Sequence, residues 1–219
     1  MNSVNKLGAS RPYRMKKRAE ALAETRNQIV WATMQLHAEK GAAATSQADI
    51  ATRAGVAPAT VYRHFPTLGS LVRACGTQIW TAVSPPRPED SERLFAGLGT
   101  TRERLHRFVE EVSEFYQRAW LPLDSARQER SRVPELDEGL RWVEAGLEAQ
   151  AREALALEED DESRVQLTLA LTDFGVWKSL RDHGVPDDVA ANVLAALLQC
   201  VVVEVSPTGK SSSRMDRKR

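Results

Sequence analysis

Apolar residues recur at helical spacing through most of the chain, and clear two-residue alternation is missing. Ile29, Ala32, Thr33 and Leu36 share one face at i, i+3, i+4 and i+7, which predicts a helix from about Arg18 to a C-terminal cap at Gly41. Thr45 or Ser46 can cap the next helix, with Asp49 three residues after Ser46 as a capping box. That helix is short and stops at Gly55. Pro58 suits the first turn of a third helix, where its missing N–H costs nothing, and Pro66 ends it. A fourth helix is predicted from about Leu68 to Val83. Beyond the loop "SPPRPED" (84–90), every long segment again reads as helix. Leu105, Phe108, Val109, Val112, Phe115 and Tyr116 form one stripe, and Leu136, Leu140, Val143 and Leu147 another. Two more helices are expected, one from Asp161 or Ser163 to Arg181 and one from Asp187 to Val205, with "HGVP" between them. The β-prone "VVVEV" (201–205) continues a helical stripe. The fold class is all-α, with about nine helices and no internal repeat.

Charge changes this picture by dividing the chain. The whole is balanced, with 30 Lys+Arg and 30 Asp+Glu. Met1 to Cys75 holds 11 basic against 4 acidic residues, Gly76 to Val205 holds 14 against 25, and the last 14 residues hold 5 against 1. A basic first third suits a polyanion. The expected organisation is a disordered basic arm (1–17), a first domain (18–75), a helical second domain (76–205) and a disordered basic tail (206–219). Cys75 and Cys200 stand far apart in apolar surroundings and read as reduced buried thiols. The N-terminal segment lacks the apolar core of a signal peptide, and no apolar run reaches the ~20 residues that span a bilayer. A cytoplasmic protein without membrane association is expected.

Two short helices meeting at Gly55 make a helix-turn-helix, since glycine takes a positive φ cheaply. Ile50, Ala54, Val56, Val61 and Phe65 are placed to face supporting helices. Thr60, Tyr62, Arg63 and His64 remain on the other faces of the third helix, where a major groove about 12 Å wide could receive them. Arg63 can pair with a guanine, whereas hydroxyl and imidazole groups serve phosphates. Thr45 and Gln47 at the start of the second helix, and Lys16 and Lys17 in the arm, complete the candidate DNA contacts. The alternative for each is ordinary: Tyr62 packs on the first helix, Thr60 back-bonds, and Arg63 is one more surface arginine.

The stretch "TSQADIATRAGVAPATVYRHFPTLGSLVRA", preceded by "AEKG", resembles the N-terminal domain of the TetR family of transcriptional regulators. Gly41, Thr45, Ile50–Ala51, Ala54–Gly55–Val56, Tyr62 and Phe65 fall in register across about residues 20–75. The resemblance implies a homodimer that binds a double-stranded DNA operator, with a C-terminal domain for dimerisation and a small-molecule effector, most often as a repressor. Three positions depart from the family pattern. Ala57 replaces a capping Ser or Thr before Pro58, so the next N–H groups meet phosphate or water. Leu68 replaces a phosphate-contacting lysine. His37 replaces an aromatic and reads as a hydrogen-bonded core histidine.

In the second domain, Phe115, Tyr116, Trp120, Trp142, Phe174 and Trp177 lie at helical spacing, either as core or as the lining of an effector pocket, with Asp173 as a polar group. Gly175, read as helix interior, suggests close helix approach. Leu194, Leu197, Leu198, Val201 and Val202, with Gly175, form the candidate dimer interface, or else monomer core. No cofactor or metal is implied. The scattered histidines lack metal-ligand spacing, "EEDDE" (158–162) reads as a solvated helix end, and "GKSS" (209–212) lacks the flanks of a phosphate loop. An enzyme or a helical adaptor without DNA binding are the alternatives.

Overall fold

The computed structural model describes residues 11–155 and 162–204. The expected basic tail, residues 1–10 of the arm and most of the acidic run lie outside the described residues. Ten α-helices, and no strand, occur among the described residues. They form two compact units, Met1–Ala82 with Leu121–Leu140, and Val83–Trp120 with Arg141–Arg219.

The first unit is built on α1 (Arg11–Lys40), α2 (Gln47–Ala54), α3 (Pro58–His64) and α4 (Leu68–Val83). Its core joins Ile29, Val30 and Leu36 of α1 to Ile50, Ala51, Val61, Phe65, Leu71 and Cys75. Each Val, Leu, Ile or Phe among them, fully buried, contributes about 1.5–3 kcal/mol. The predicted face of α1 is correct, since Ile29, Ala32, Thr33 and Leu36 are all buried. Thr33 satisfies its hydroxyl on the carbonyl of Ile29 at 2.7 Å. The start of α1 is not where the apolar pattern put it. Helix runs through residues 11–17, expected to be disordered, because Met15, Lys16, Lys17, Arg18 and Ala19 are strong helix formers that extend a helix already anchored by its core face.

The second unit holds α5 (Ser91–Leu94), the earlier part of α6 (Thr101–Glu129), the later part of α7 (Pro134–Leu155), α8 (Glu162–Leu171), α9 (Phe174–Asp182) and α10 (Asp187–Leu198). A wider π-type turn continues α10 through Gln199–Glu204. Pro122 lies inside α6, where it withdraws one intrahelical N–H donor, and the division between the units falls beside it. Pro85 and Pro86 are buried, and a Cβ on Gly146 would collide with the Pro86 carbonyl, so the 84–90 loop is packed tightly on α7.

The helix expected from residue 161 or 163 to Arg181 is two helices. Thr172 turns its hydroxyl back to the carbonyl of Thr168 at 2.7 Å, and Asp173 takes up extended backbone as the N-cap of α9. Its carboxylate accepts from the Gly175 N–H at 2.7 Å. Gly175 is therefore an exposed first-turn residue rather than an interior one, and no other helix of the described chain approaches it closely.

Candidate nucleic-acid interface

The helix-turn-helix is assembled by caps and braces. Ser46 caps α2, accepting from the Asp49 N–H, while Asp49 accepts from the Ser46 N–H at 3.0 Å. Asp49 also receives Lys40 at 2.7 Å, and these bonds hold its carboxyl far below the ordinary carboxylate range, with the Lys40 bond the largest cause. Gly55 closes α2 in the left-handed region at φ 66°. Ala57 offers no side-chain cap to α3, as the sequence implies, and Leu68 is exposed at the head of α4.

Two candidate DNA contacts are turned inward. Thr45 is buried and donates to the Gly41 carbonyl at 2.7 Å, which shapes the turn between α1 and α2. Gln47 is buried and donates through Nε2 to the Phe65 carbonyl at 3.2 Å, tying the start of α2 to the end of α3. Both residue types suited a DNA contact, but each donates to a backbone carbonyl instead.

Of the α3 candidates, Tyr62 and Arg63 face outward, while Thr60 and His64 are half-buried. Val61 and Phe65 are buried, Tyr62 is 55% exposed and Arg63 is exposed. At about 100° per residue, Arg63 points away from the Val61–Phe65 face, with Thr60 beside it. His64 is half-buried, and its Nε2 has no hydrogen-bond partner. Arg63 has no ion-pair partner among the described residues, unlike Arg53 on α2, which forms a bidentate pair with Glu39 at 2.8 and 2.7 Å. On α1, Arg14, Lys17 and Arg18 are exposed and unpaired among the described residues, and Lys16 reaches Glu20 only at 4.0 Å. Cations at the α1–α2 and α4 contacts (Lys40, Arg53, Arg73) are neutralised, whereas those on α3 and early α1 are left free. Uncommitted cations beside the exposed Tyr62 hydroxyl can hold phosphates, and a free guanidinium on an outward helix face can reach a base edge.

His37 is half-buried, and burial lowers its pKa, with the nearby Glu129 opposing the shift. Burial pushes the Cys75 thiol up to about 12, so this cysteine is an inert core residue. Cys200, expected to be buried, is exposed.

In the second unit, Phe115, Tyr116, Phe174 and Trp177 are buried and in ring contact, with centroids 5.4–5.8 Å apart. Tyr116 donates to the Thr172 carbonyl at 3.1 Å. Trp120 is half-buried beneath the Arg181 guanidinium, 4.7 Å from its ring centroid. Trp142 is 46% exposed, outside this group. Along α10, Leu194, Leu198 and Val202 point into the chain's own interior, and Val201 is half-buried. Leu197 is exposed, in a row with Val189 and Val193 that the sequence reading did not single out as an outer face. No group of three or more potential metal ligands, and no helix long and apolar enough to cross a membrane, occurs among the described residues.

A three-helix head that offers a short, cationic helix beyond a glycine turn is a helix-turn-helix DNA-binding module. Residues 29–75 match the family model for bacterial regulatory proteins, tetR family. Over this segment the chain is similar to the N-terminal DNA-binding domain of TetR-family transcriptional regulators. Solved structures share the fold over most of the chain. GusR of Salmonella enterica is 23% identical with a TM-score of 0.54, covering 91% of this chain and 100% of its own. A TetR-like regulator from Rhodococcus sp. RHA1 is 19% identical with a TM-score of 0.55, over 82% and 96%. A TetR/AcrR-family regulator from Thermobifida fusca is 22% identical with a TM-score of 0.54, over 80% and 96%. No curated protein sequence matches the chain.

Proposed function

We propose that this regulator is a cytoplasmic homodimeric repressor that reads an operator with α3 and leaves it when a small molecule binds the second unit. The free cations carry the DNA part of the reading. Arg63 serves as the base reader, Thr60, Tyr62 and His64 as phosphate partners, and Lys16 and Lys17 as backbone contacts along early α1. Duplex DNA titrated at rising salt tests it, because neutralising phosphates must give a log–log slope of about −0.9 per contact. A salt-independent signal, or none, would remove DNA binding and favour an adaptor.

The buried rings of Phe115, Tyr116, Phe174 and Trp177 support an effector site in the second unit. So do three buried polar atoms without partners, Gln150 Oε1, Thr168 Oγ1 and Trp177 Nε1. Native interiors hold few such atoms. For the dimer, the exposed row Val189, Val193 and Leu197 supports a two-fold helix interface better than the inward Leu194, Leu198 and Val202. Light scattering at micromolar concentration checks this, with a dimer mass expected and a monomer contradicting it.

A further inference from the structure

We infer that Glu129 is a positioning residue for DNA reading, a carboxylate that fixes the turn from which the helix-turn-helix is hung. The inference rests on the DNA-binding reading above and lies wholly within the first unit.

Glu129 is the last residue of α6, where the helix dipole disfavours a negative charge. Its Oε2 instead accepts the Ala42 N–H at 2.6 Å and, more distantly, the Ala43 N–H at 3.4 Å. These two donors belong to the turn that follows α1. Gly41 begins that turn at φ 84°, and a Cβ there would collide with the Glu129 carboxylate. The position needs glycine for its backbone, and any side chain there would also push the carboxylate aside. The rest of the turn is bonded onward. Thr45 donates to the Gly41 carbonyl at 2.7 Å, Ser46 caps α2, and Gln47 on α2 donates to Phe65 at the end of α3. A continuous series of bonds thus leads from Glu129 to both ends of the reading motif.

The end of α6 and the start of α7 form the hairpin that carries Glu129, and this hairpin has another anchor on the head. Arg73 on α4 meets Glu138 at 3.1 Å and Glu135 at 3.5 Å, while the pair Arg130–Asp137 at 2.7 Å closes the hairpin on itself. Removing the Glu129 carboxylate therefore leaves the hairpin attached and frees the turn, which separates a positioning role from a folding role.

The test uses full-length protein and a duplex selected from a randomised pool on the wild type. Glu129→Ala should lower affinity for that duplex roughly tenfold, the equivalent of one charge-assisted hydrogen bond. Glu129→Asp, one methylene too short, should fall in the same direction. Glu129→Gln, which keeps an acceptor at the same reach, should recover to within about threefold. Amide exchange at Ala42 and Ala43 should quicken in the Ala and Asp variants, with far-UV circular dichroism unchanged. Binding by Glu129→Ala and Glu129→Asp within twofold of wild type would overturn the inference. So would a collapse of helix content in both, which would make Glu129 a folding residue. If wild type selects no duplex, the DNA-binding reading fails, while amide exchange still decides whether Glu129 holds the turn.

Discussion

The two units place their chemistry in opposite directions. In the first, the candidate functional groups point out of a small, capped scaffold, with Tyr62 and Arg63 exposed and Arg63 unpaired among the described residues. In the second, the candidate groups point inward, as the Phe115, Tyr116, Phe174 and Trp177 cluster does. An outward site can be altered with little loss of stability, because its side chains touch mostly water. An inward site cannot, because the same rings that would meet a ligand also fill the core.

That asymmetry should be largest in stability. Phe115→Ala is expected to cost about 3–5 kcal/mol, because it empties a fully buried ring site. Trp142→Ala, at an exposed position, should stay within about 0.5 kcal/mol. Urea denaturation of the two variants decides the matter. Comparable losses would mean that Trp142 is covered in solution, as a ligand or partner would do.

Next in size is the outward site. Arg63→Ala should remove about 1–3 kcal/mol of discrimination at one base-pair position. It should leave the melting temperature near that of wild type. Tyr62→Phe should weaken all duplexes alike, by about 0.5–1.5 kcal/mol, since a lost phosphate hydrogen bond carries no sequence information. Affinities across an operator-variant panel separate the two patterns. An unchanged ranking for Arg63→Ala would leave Arg63 as a general cation only.

The head was legible in sequence because its signals are local. A capping box, a glycine turn and a proline at the first turn each act within four residues, and the Ser46–Asp49 box, Gly55 and Pro58 all do as their spacing implies. Failures came where the deciding partner is distant or where one residue type has two uses. Gln47 and Thr45 are polar residues beside a DNA-reading motif, yet each is held by a backbone carbonyl. Glu129 lies 87 positions from Ala42, so nothing in its neighbourhood could reveal its bond. The break at Asp173 had a readable signal, a capping residue type before Phe174, but the surrounding apolar run concealed it. In the second unit, helical spacing alone could not separate buried Trp177 from exposed Trp142, because periodicity gives a face and not its neighbour.

A smaller effect should follow from the missing cap. Ala57 already has the extended backbone of an N-cap, at φ −66° and ψ 144°, with no side chain to use it. Ala57→Ser should stabilise the head by about 0.5–1 kcal/mol. Thermal melts of the pair check this, and a loss of stability would mean that water or a neighbouring group already serves those N–H groups.

The smallest expected effect again separates the units, through pH. In the second unit, Glu103 and Glu162 are carboxylates with pKa values lowered by hydrogen bonds, so their contribution is lost only as pH falls below their ordinary 4.5. His37, in the head, is the shifted histidine, and burial lowers its pKa from 6.5. The native head therefore keeps the imidazole neutral while the unfolded chain takes up a proton near 6.5, so the unfolded state binds more protons just below that pH. Stability must rise with pH across this window and fall as pH drops below 6.5 toward the folded pKa. Asp49 and Glu39, also in the head, act only below their ordinary values of 3.8 and 4.5 and leave the window clear. Urea denaturation at pH 7.5 and pH 5.5 should show a loss at the lower pH that His37→Gln abolishes. An equal loss in the variant would place the sensitivity elsewhere and end the distinction between the units on this count.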